Sequence, residues 1–367
     1  MGANKKILIS GYYGFDNSGD DAILKAMVKD IKAYNDNVKI TAFSNNPTFT
    51  KKIYDINAIN RFGIKDVIKA IKDCDLFISG GGSLLQDITS TRSLLYYITL
   101  MKLAKLFNKP VMVYANGIGP INRKINRFLT RKILNKVDLI TLRDEDSEIF
   151  LKELEVENDS IYVTADPVFT LEPTKEEIIL GIFEKEGIPG DKPLVGVSVR
   201  NWRSAENLID TVASAINYII DEYNANVVLI PMHYPEDLDI SNSILDRVTE
   251  EGSYILKNKY SVEDIMGITK RLEMIIAMRL HSLIYAATQG VPMVGIVYDP
   301  KIEGFLKSID MEHMCPVKNI EYEQLVENID YVWNNREELK VGLMELDQHM
   351  RDKALRNTHM ALELLKK

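Results

Sequence analysis

Cysteine is almost missing from this sequence: Cys74 and Cys315 are the only two in 367 residues. Two thiols cannot build a disulfide framework, and neither has the paired spacing that holds zinc. Both are expected to be buried, inert thiols. Histidine is scarce as well, with five in all, and no group of ligating side chains has metal spacing, so no metal is expected. Long apolar runs are absent. No segment approaches the ~18 apolar residues of a membrane span. The first apolar run, Ile7-Leu8-Ile9, is too short for a signal peptide and reaches a glycine turn at once. The expectation is a cytoplasmic protein, with room for peripheral contact at the inner face of a membrane. There is also no excess of positive charge. Forty-five Lys and Arg stand against 53 Asp and Glu, a net charge of -8. Such a balance argues against general nucleic-acid binding, which needs a basic face. It leaves open a local basic pocket for a small anion.

What is present is ordinary globular composition, 46% hydrophobic and 27% charged. At roughly 100–200 residues per domain, the length predicts two domains. Short apolar runs alternate with helical patterns. Residues 6–10, 38–43, 76–79, 111–114 and 138–142 read as buried strands, each followed by a helix-like stretch. After a segment punctuated by Pro167, Pro173, Gly187, Pro189 and Gly190, the pattern restarts at 194–199, 227–230, 274–277 and 293–297. The predicted fold class is α/β, with two Rossmann-like parallel-sheet domains facing across a cleft. Expected boundaries are 1–170 for the first domain, 171–192 for a hinge, 193–320 for the second domain and 321–367 for closing helices.

Ligands of open parallel sheets bind beyond the carboxyl ends of the strands, and the polar punctuation falls there. The turn from Gly11 to Asp21 fails the dinucleotide spacing, and the second strand does not end in a carboxylate. No lysine-bearing phosphate loop occurs either. Asp16, Asn17 and Asp20 could bind sugar hydroxyls, or Asn17 and Asp20 could simply cap the next helix. Gly80, Gly81 and Gly82, like Gly11 and Gly117, allow close backbone approach by a ligand or by a packed element. Asp87 and Arg92 sit in a hydrogen-bonding cluster after the three glycines. Arg143 ends an apolar strand just before Asp144, Glu145 and Asp146. It could pair with those carboxylates, or bind a phosphate or carboxylate with two parallel bonds. The densest signal is Arg279-Leu280-His281-Ser282, where an imidazole after a buried strand is placed for proton transfer. A structural histidine fits the same position. His233 is a weaker strand-end candidate. Lys301, after the next strand, could add a point charge for an anion.

Taken in order, Gly11-Tyr12-Tyr13-Gly14, Asn17-Ser18-Gly19-Asp20, Gly80-Gly81-Gly82, Asn116 to Pro120, Arg143-Asp144, Arg279 to Ser282 and Tyr298 to Lys301 resemble the polysaccharide pyruvyltransferases, specifically the CsaB type. The resemblance runs from Ile7 to about Phe305. It implies a glycosyltransferase-B-like fold, phosphoenolpyruvate as co-substrate with no cofactor, and a pyruvate ketal as product. It implies donor binding by Arg143, Arg279, Lys301 and the backbone at Leu280, with His281 as the catalytic acid. Asp16, Asn17, Asp20, Asp87 and Arg92 are candidates for acceptor binding or for the base. For the CsaB type the implied acceptor is a lipid-diphosphate-linked disaccharide, a precursor of the polymer that anchors surface-layer proteins. Two competing readings are a nucleotide-sugar glycosyltransferase of the same architecture and a non-catalytic sugar-polymer binding protein.

Overall fold

A computed structural model describes residues 5–202, 205 and 207–366. The chain divides into two compact units, one of residues 1–171 with 350–367, the other of residues 172–349.

The first unit alternates strands and helices: β1 (Lys6–Ser10), α1 (Ser18–Tyr34), β2 (Lys39–Ser44), α2 (Pro47–Tyr54), β3 (Asn57–Asn60), α3 (Ile64–Asp73), β4 (Leu76–Ser79), β5 (Gly82–Leu85), α4 (Thr91–Leu106), β6 (Val111–Ile118), α5 (Lys124–Leu134), β7 (Leu139–Leu142), α6 (Glu145–Glu153) and β8 (Ile161–Val163). Its strands pair in parallel in the order β3-β2-β1-β4-β6-β7-β8, with β5 alongside β6. β4, β6 and β7 are buried along their whole length, because helices cover both faces of the sheet. Polar caps start the helices: the side chains of Asn17, Ser90 and Asp144 accept backbone N–H bonds at α1, α4 and α6.

The second unit runs α7 (Glu176–Glu186), β9 (Leu194–Ser198), α8 (Leu208–Tyr223), β10 (Asn226–Leu229), α9 (Glu236–Leu245), β11 (Ser253–Ile255), α10 (Val262–Thr269), β12 (Met274–Ala277), α11 (Leu280–Thr288), β13 (Met293–Val297), α12 (Pro300–Ser308), β14 (Met314–Pro316), α13 (Tyr322–Asn334) and α14 (Arg336–Lys366). The sheet order is β11-β10-β9-β12-β13-β14, all parallel. This is the doubly wound order, whose direction reverses between β9 and β12. In the first unit the reversal lies between β1 and β4.

Two boundaries differ from expectation. The segment 172–192 belongs to the second unit, because α7 packs against α10 and buries Ile179, Ile182 and Phe183. The closing helices form no separate part. α14 is counted with the second unit up to His349 and with the first from Met350, where Thr358 and Asn357 bond to Tyr114 and Thr164. Cys74 and Cys315 are buried and free, and burial pushes both thiols up to about 11.

Candidate active site

In the second unit, Arg279 and His281 lie at the reversal point, and Lys301 follows the next strand, β13. Arg279 occupies the N-cap position of α11, two residues beyond β12. Its guanidinium is gripped along one edge by the Asp237 carboxylate, through Nε at 3.0 Å and through Nη2. The side chains are 14% and 2% exposed respectively. Asp237 also accepts the backbone N–H groups of Met232 and His233, at 3.2 and 3.0 Å. This arrangement spends one carboxylate on fixing one guanidinium through its Nε and Nη2 nitrogens.

His281 follows in the first turn of α11, half-buried, with its ring 6.4 Å from that of the buried Tyr285. The next residue anchors the turn: Ser282 Oγ donates to Ser198 Oγ (2.8 Å), which donates to the Ile230 carbonyl (3.0 Å). The start of α11 is thereby tied to the ends of β9 and β10. Leu280 is buried at the first helical position. Lys301 opens α12 after the neighbouring strand β13. Asp299 caps that helix, accepting from the Lys301 N–H at 3.1 Å, and its other oxygen lies 3.3 Å from the Lys301 ammonium. His233 Nε2 lies 3.5 Å from Glu236.

Sequence reasoning missed Arg200. It follows β9, the other strand flanking the reversal point, and carries the same signal that singled out Arg143: a cation just past a buried apolar run. Its Nη1 donates to Tyr298 Oη at 3.4 Å, and the guanidinium sits 5.1 Å from the Tyr298 ring and 5.9 Å from the Trp202 ring. Its Nε is buried with no hydrogen-bond partner among the described residues. Arg200, Arg279 and Lys301 thus stand at the carboxyl ends of β9, β12 and β13, which are consecutive in the sheet.

In the first unit, Arg143 is 5% exposed. Its three nitrogens reach Asp144 (3.3 Å), Asp166 (3.4 Å) and Ser83 Oγ (2.9 Å). Pairing with carboxylates, one of the two sequence alternatives, is therefore realised, though with Asp166 as well as the adjacent Asp144. Gly117 serves this residue, since a Cβ there would stand 2.6 Å from Nη2. The space at the other glycines is also taken by the protein itself. A Cβ at Gly11 would strike the Tyr13 ring, one at Gly80 its hydroxyl, and one at Gly81 would meet Ile23 at 2.9 Å. Gly82 has φ +88, a conformation favouring glycine. It begins strand β5 rather than a helix-bearing turn.

The acceptor candidates separate. Asn17 caps α1, accepting from Gly19 and Asp20 N–H at 3.1 and 3.4 Å. Asp20 lies in the first turn of that helix, and Asp16 is exposed with φ 58. Arg92 is exposed at the start of α4. Asp87 is the clearest revision. Its carboxylate accepts from Asn122 N–H (2.8 Å), Arg123 N–H (3.0 Å) and Asn126 Nδ2 (2.8 Å). Burial works to raise its pKa, but these bonds together outweigh it and hold the group below the usual carboxylate value. A carboxylate so satisfied is a poor base and a good strut for the β6–α5 loop. A second buried cation, Arg61, bonds the Gly11 carbonyl (3.2 Å) and Tyr97 Oη (3.3 Å) and lies 4.6 Å from the Tyr96 ring. It braces the Gly11 turn from 50 residues away.

Among the described residues no group of three or more His, Cys, Asp and Glu side chains could hold a metal ion, and no helix is long and apolar enough to cross a membrane. The fold is shared with HepE from Anabaena, solved in complex with UDP-glucose (TM-score 0.68, 12% identity, 98% of this chain and 99% of that one). It is also shared with UDP-GlcNAc 2-epimerase from Neisseria meningitidis (TM-score 0.67, 14% identity, 99% and 100%). Both belong to the glycosyltransferase-B-like class of two parallel-sheet domains. In sequence, the chain is 22% identical over 293 residues to the amylovoran biosynthesis protein AmsJ of Erwinia amylovora, covering 74% of this chain and 68% of that protein. The family model for polysaccharide pyruvyl transferase matches residues 17–300. With most of its length matched, including the Arg279-Leu280-His281 turn, the chain belongs to the polysaccharide pyruvyl transferase family and is a pyruvyltransferase enzyme.

Proposed function

We propose that the enzyme takes its pyruvyl group from phosphoenolpyruvate and builds a cyclic ketal on a sugar of a lipid-diphosphate-linked precursor, such as one for a surface-layer-anchoring polymer. The observation that carries this reading is the Asp237-held Arg279 next to His281, at the reversal point of the second sheet. A fixed guanidinium suits a small, highly charged anion, and an imidazole beside it can deliver a proton.

The chemistry needs little else. His281 protonates C3 of the enol, which becomes a methyl group, and C2 becomes electrophilic. A sugar hydroxyl attacks C2 and loses its proton. The C2–O bond to phosphorus-bearing oxygen breaks, inorganic phosphate leaves, and a second hydroxyl closes the ketal with loss of its own proton. Arg279, Lys301 and the N–H groups opening α11 at Leu280 neutralise the donor's carboxylate and the departing phosphate. Arg200 has the placement to join them. A donor role for Arg143 rests on the family resemblance, and its pairing with Asp144 and Asp166 holds it in one orientation. Asp16 and Asp20 are the candidates for deprotonating the acceptor. No cofactor enters the scheme.

The deciding experiment is donor titration with a water-soluble acceptor analogue, read as phosphate release and as ketal formation by mass spectrometry. Saturation by phosphoenolpyruvate is expected. Turnover with a UDP-sugar instead would establish the glycosyltransferase reading, and acceptor binding without turnover of either donor would establish a binding protein.

A further inference from the structure

Charge is distributed unevenly in this chain. From Ile88 to Val137 there is no Asp or Glu, while Arg92, Lys102, Lys105, Lys109, Arg123, Lys124, Arg127, Arg131, Lys132 and Lys136 all occur there. This segment contains α4 and α5, which pack against each other and contribute to one buried cluster over the first sheet. Asn126 of α5 also bonds Thr91 of α4 at 3.2 Å.

The inward faces are accounted for. In α5, Asn126, Thr130, Ile133 and Leu134 are buried. At 100° per residue, Lys124, Ile125, Phe128 and Lys132 fall together on the opposite side. Ile125 is 61% exposed and Phe128 48%, with the Lys132 ammonium 5.8 Å from the Phe128 ring. The outward stripe of α4 carries Lys102 and Leu106, the latter 71% exposed. Some cations are neutralised: Arg131 pairs with Glu155 and Lys105 with Asp138, and Arg127 turns onto Phe150 and the carbonyls of Ile121 and Glu153. Lys124, Lys132 and Lys102 have no carboxylate partner among the described residues.

We infer that the outward face of α4 and α5 docks on an anionic lipid bilayer. Large apolar side chains interleaved with unneutralised lysines are the composition that enters a headgroup layer: the cations meet lipid phosphates while Phe128, Ile125 and Leu106 reach the acyl boundary. A nucleic acid would use the charges and leave the apolar side chains wet. The inference deepens the proposed function and rests on it only for the reason a membrane would be visited, namely a lipid-linked acceptor.

The test is co-sedimentation of the full chain with vesicles of equal parts phosphatidylglycerol and phosphatidylcholine, and with vesicles of phosphatidylcholine alone. Salt-sensitive binding to the first and none to the second is expected. Each cation near such a surface contributes about fivefold, so Lys124→Ser with Lys132→Ser should weaken binding roughly 25-fold. Phe128→Ser should weaken it without changing the salt dependence, and Lys51→Ser with Lys52→Ser on α2 should leave it unchanged. Equal binding to both vesicles, wild-type binding by the Lys124 and Lys132 variant, or capture by an acidic protein without vesicle binding would overturn the inference. Turnover of phosphoenolpyruvate with a water-soluble acceptor is expected to be normal in these variants. Vesicle binding by an enzyme that ignores phosphoenolpyruvate would sink the functional reading and leave the docking face standing.

Discussion

Asp237→Asn isolates what holds Arg279 in place. The substitution keeps volume and shape and removes one charge. Four N–H groups now converge on the carboxylate: two from Arg279 and one each from the Met232 and His233 backbones. An amide can accept only through its oxygen, so some of these donors lose their partner, and the guanidinium loses its counter-charge. Breaking a buried pair by removing one partner costs about 3–5 kcal/mol. Arg279 keeps 14% exposure, which favours the lower end. For a unit of this size, about 3 kcal/mol corresponds to a fall of roughly 6–12 °C in melting temperature. Thermal unfolding followed by circular dichroism measures it. The loss should shrink in the double variant Asp237→Asn with Arg279→Gln, because no unpaired charge is then left, and the cycle should give a coupling of about 2–3 kcal/mol. In the single Asp237→Asn variant the KM for phosphoenolpyruvate should rise more than kcat falls, since a loosened Arg279 still carries its charge. An unchanged melting temperature, or strict additivity in the cycle, would refute the claim that Asp237 positions Arg279.

Three further outcomes are expected. His281→Gln should retain donor affinity by calorimetry and lose roughly 10²–10⁴-fold in turnover, the usual worth of a positioned acid; a normal rate would mean that the histidine only binds. Gly117→Ala puts a Cβ 2.6 Å from the Arg143 guanidinium. Overpacking of this kind costs about 1–3 kcal/mol, and urea unfolding matching wild type would show that Arg143 moves aside freely. Burial raises Asp30 from 3.8 to about 6, against the opposing pull of the Thr170 hydrogen bond and of Lys29, Arg351 and His359. A raised folded-state value favours the protonated form, so stability is fully present below about pH 4 and is lost as pH rises through about 6. Asp30→Asn should therefore gain up to about 3 kcal/mol near pH 8 and nothing near pH 4; a gain independent of pH would point to packing instead.

The sequence by itself determined the parallel α/β class and most of the inner strands. β1, β4, β12 and β13 span the residues expected from their apolar runs, because strands buried on both faces are largely apolar. It also marked Arg279, His281, Lys301 and Arg143, since a charged residue directly after a buried strand projects at the ligand-bearing end of the sheet. The edge strands β3, β8, β11 and β14 were illegible: they are three or four residues long and partly solvated, so nothing forces an apolar pattern on them. Tertiary structure alone decided which partner each charged group meets. Asp237 lies 42 residues from Arg279, and Asp166 lies 23 from Arg143. Asp87 was one candidate for acceptor binding or for the base; three donors from the β6–α5 loop and α5, 35 or more residues away, satisfy it instead. The glycines could admit a ligand or a packed element, and Tyr13, Ile23 and Arg143 take up that space. Local sequence encodes burial and chain direction, because those follow from the apolar period of each segment. Hydrogen-bond partners depend on the crossovers that bring distant strand ends together, and no single segment contains that information.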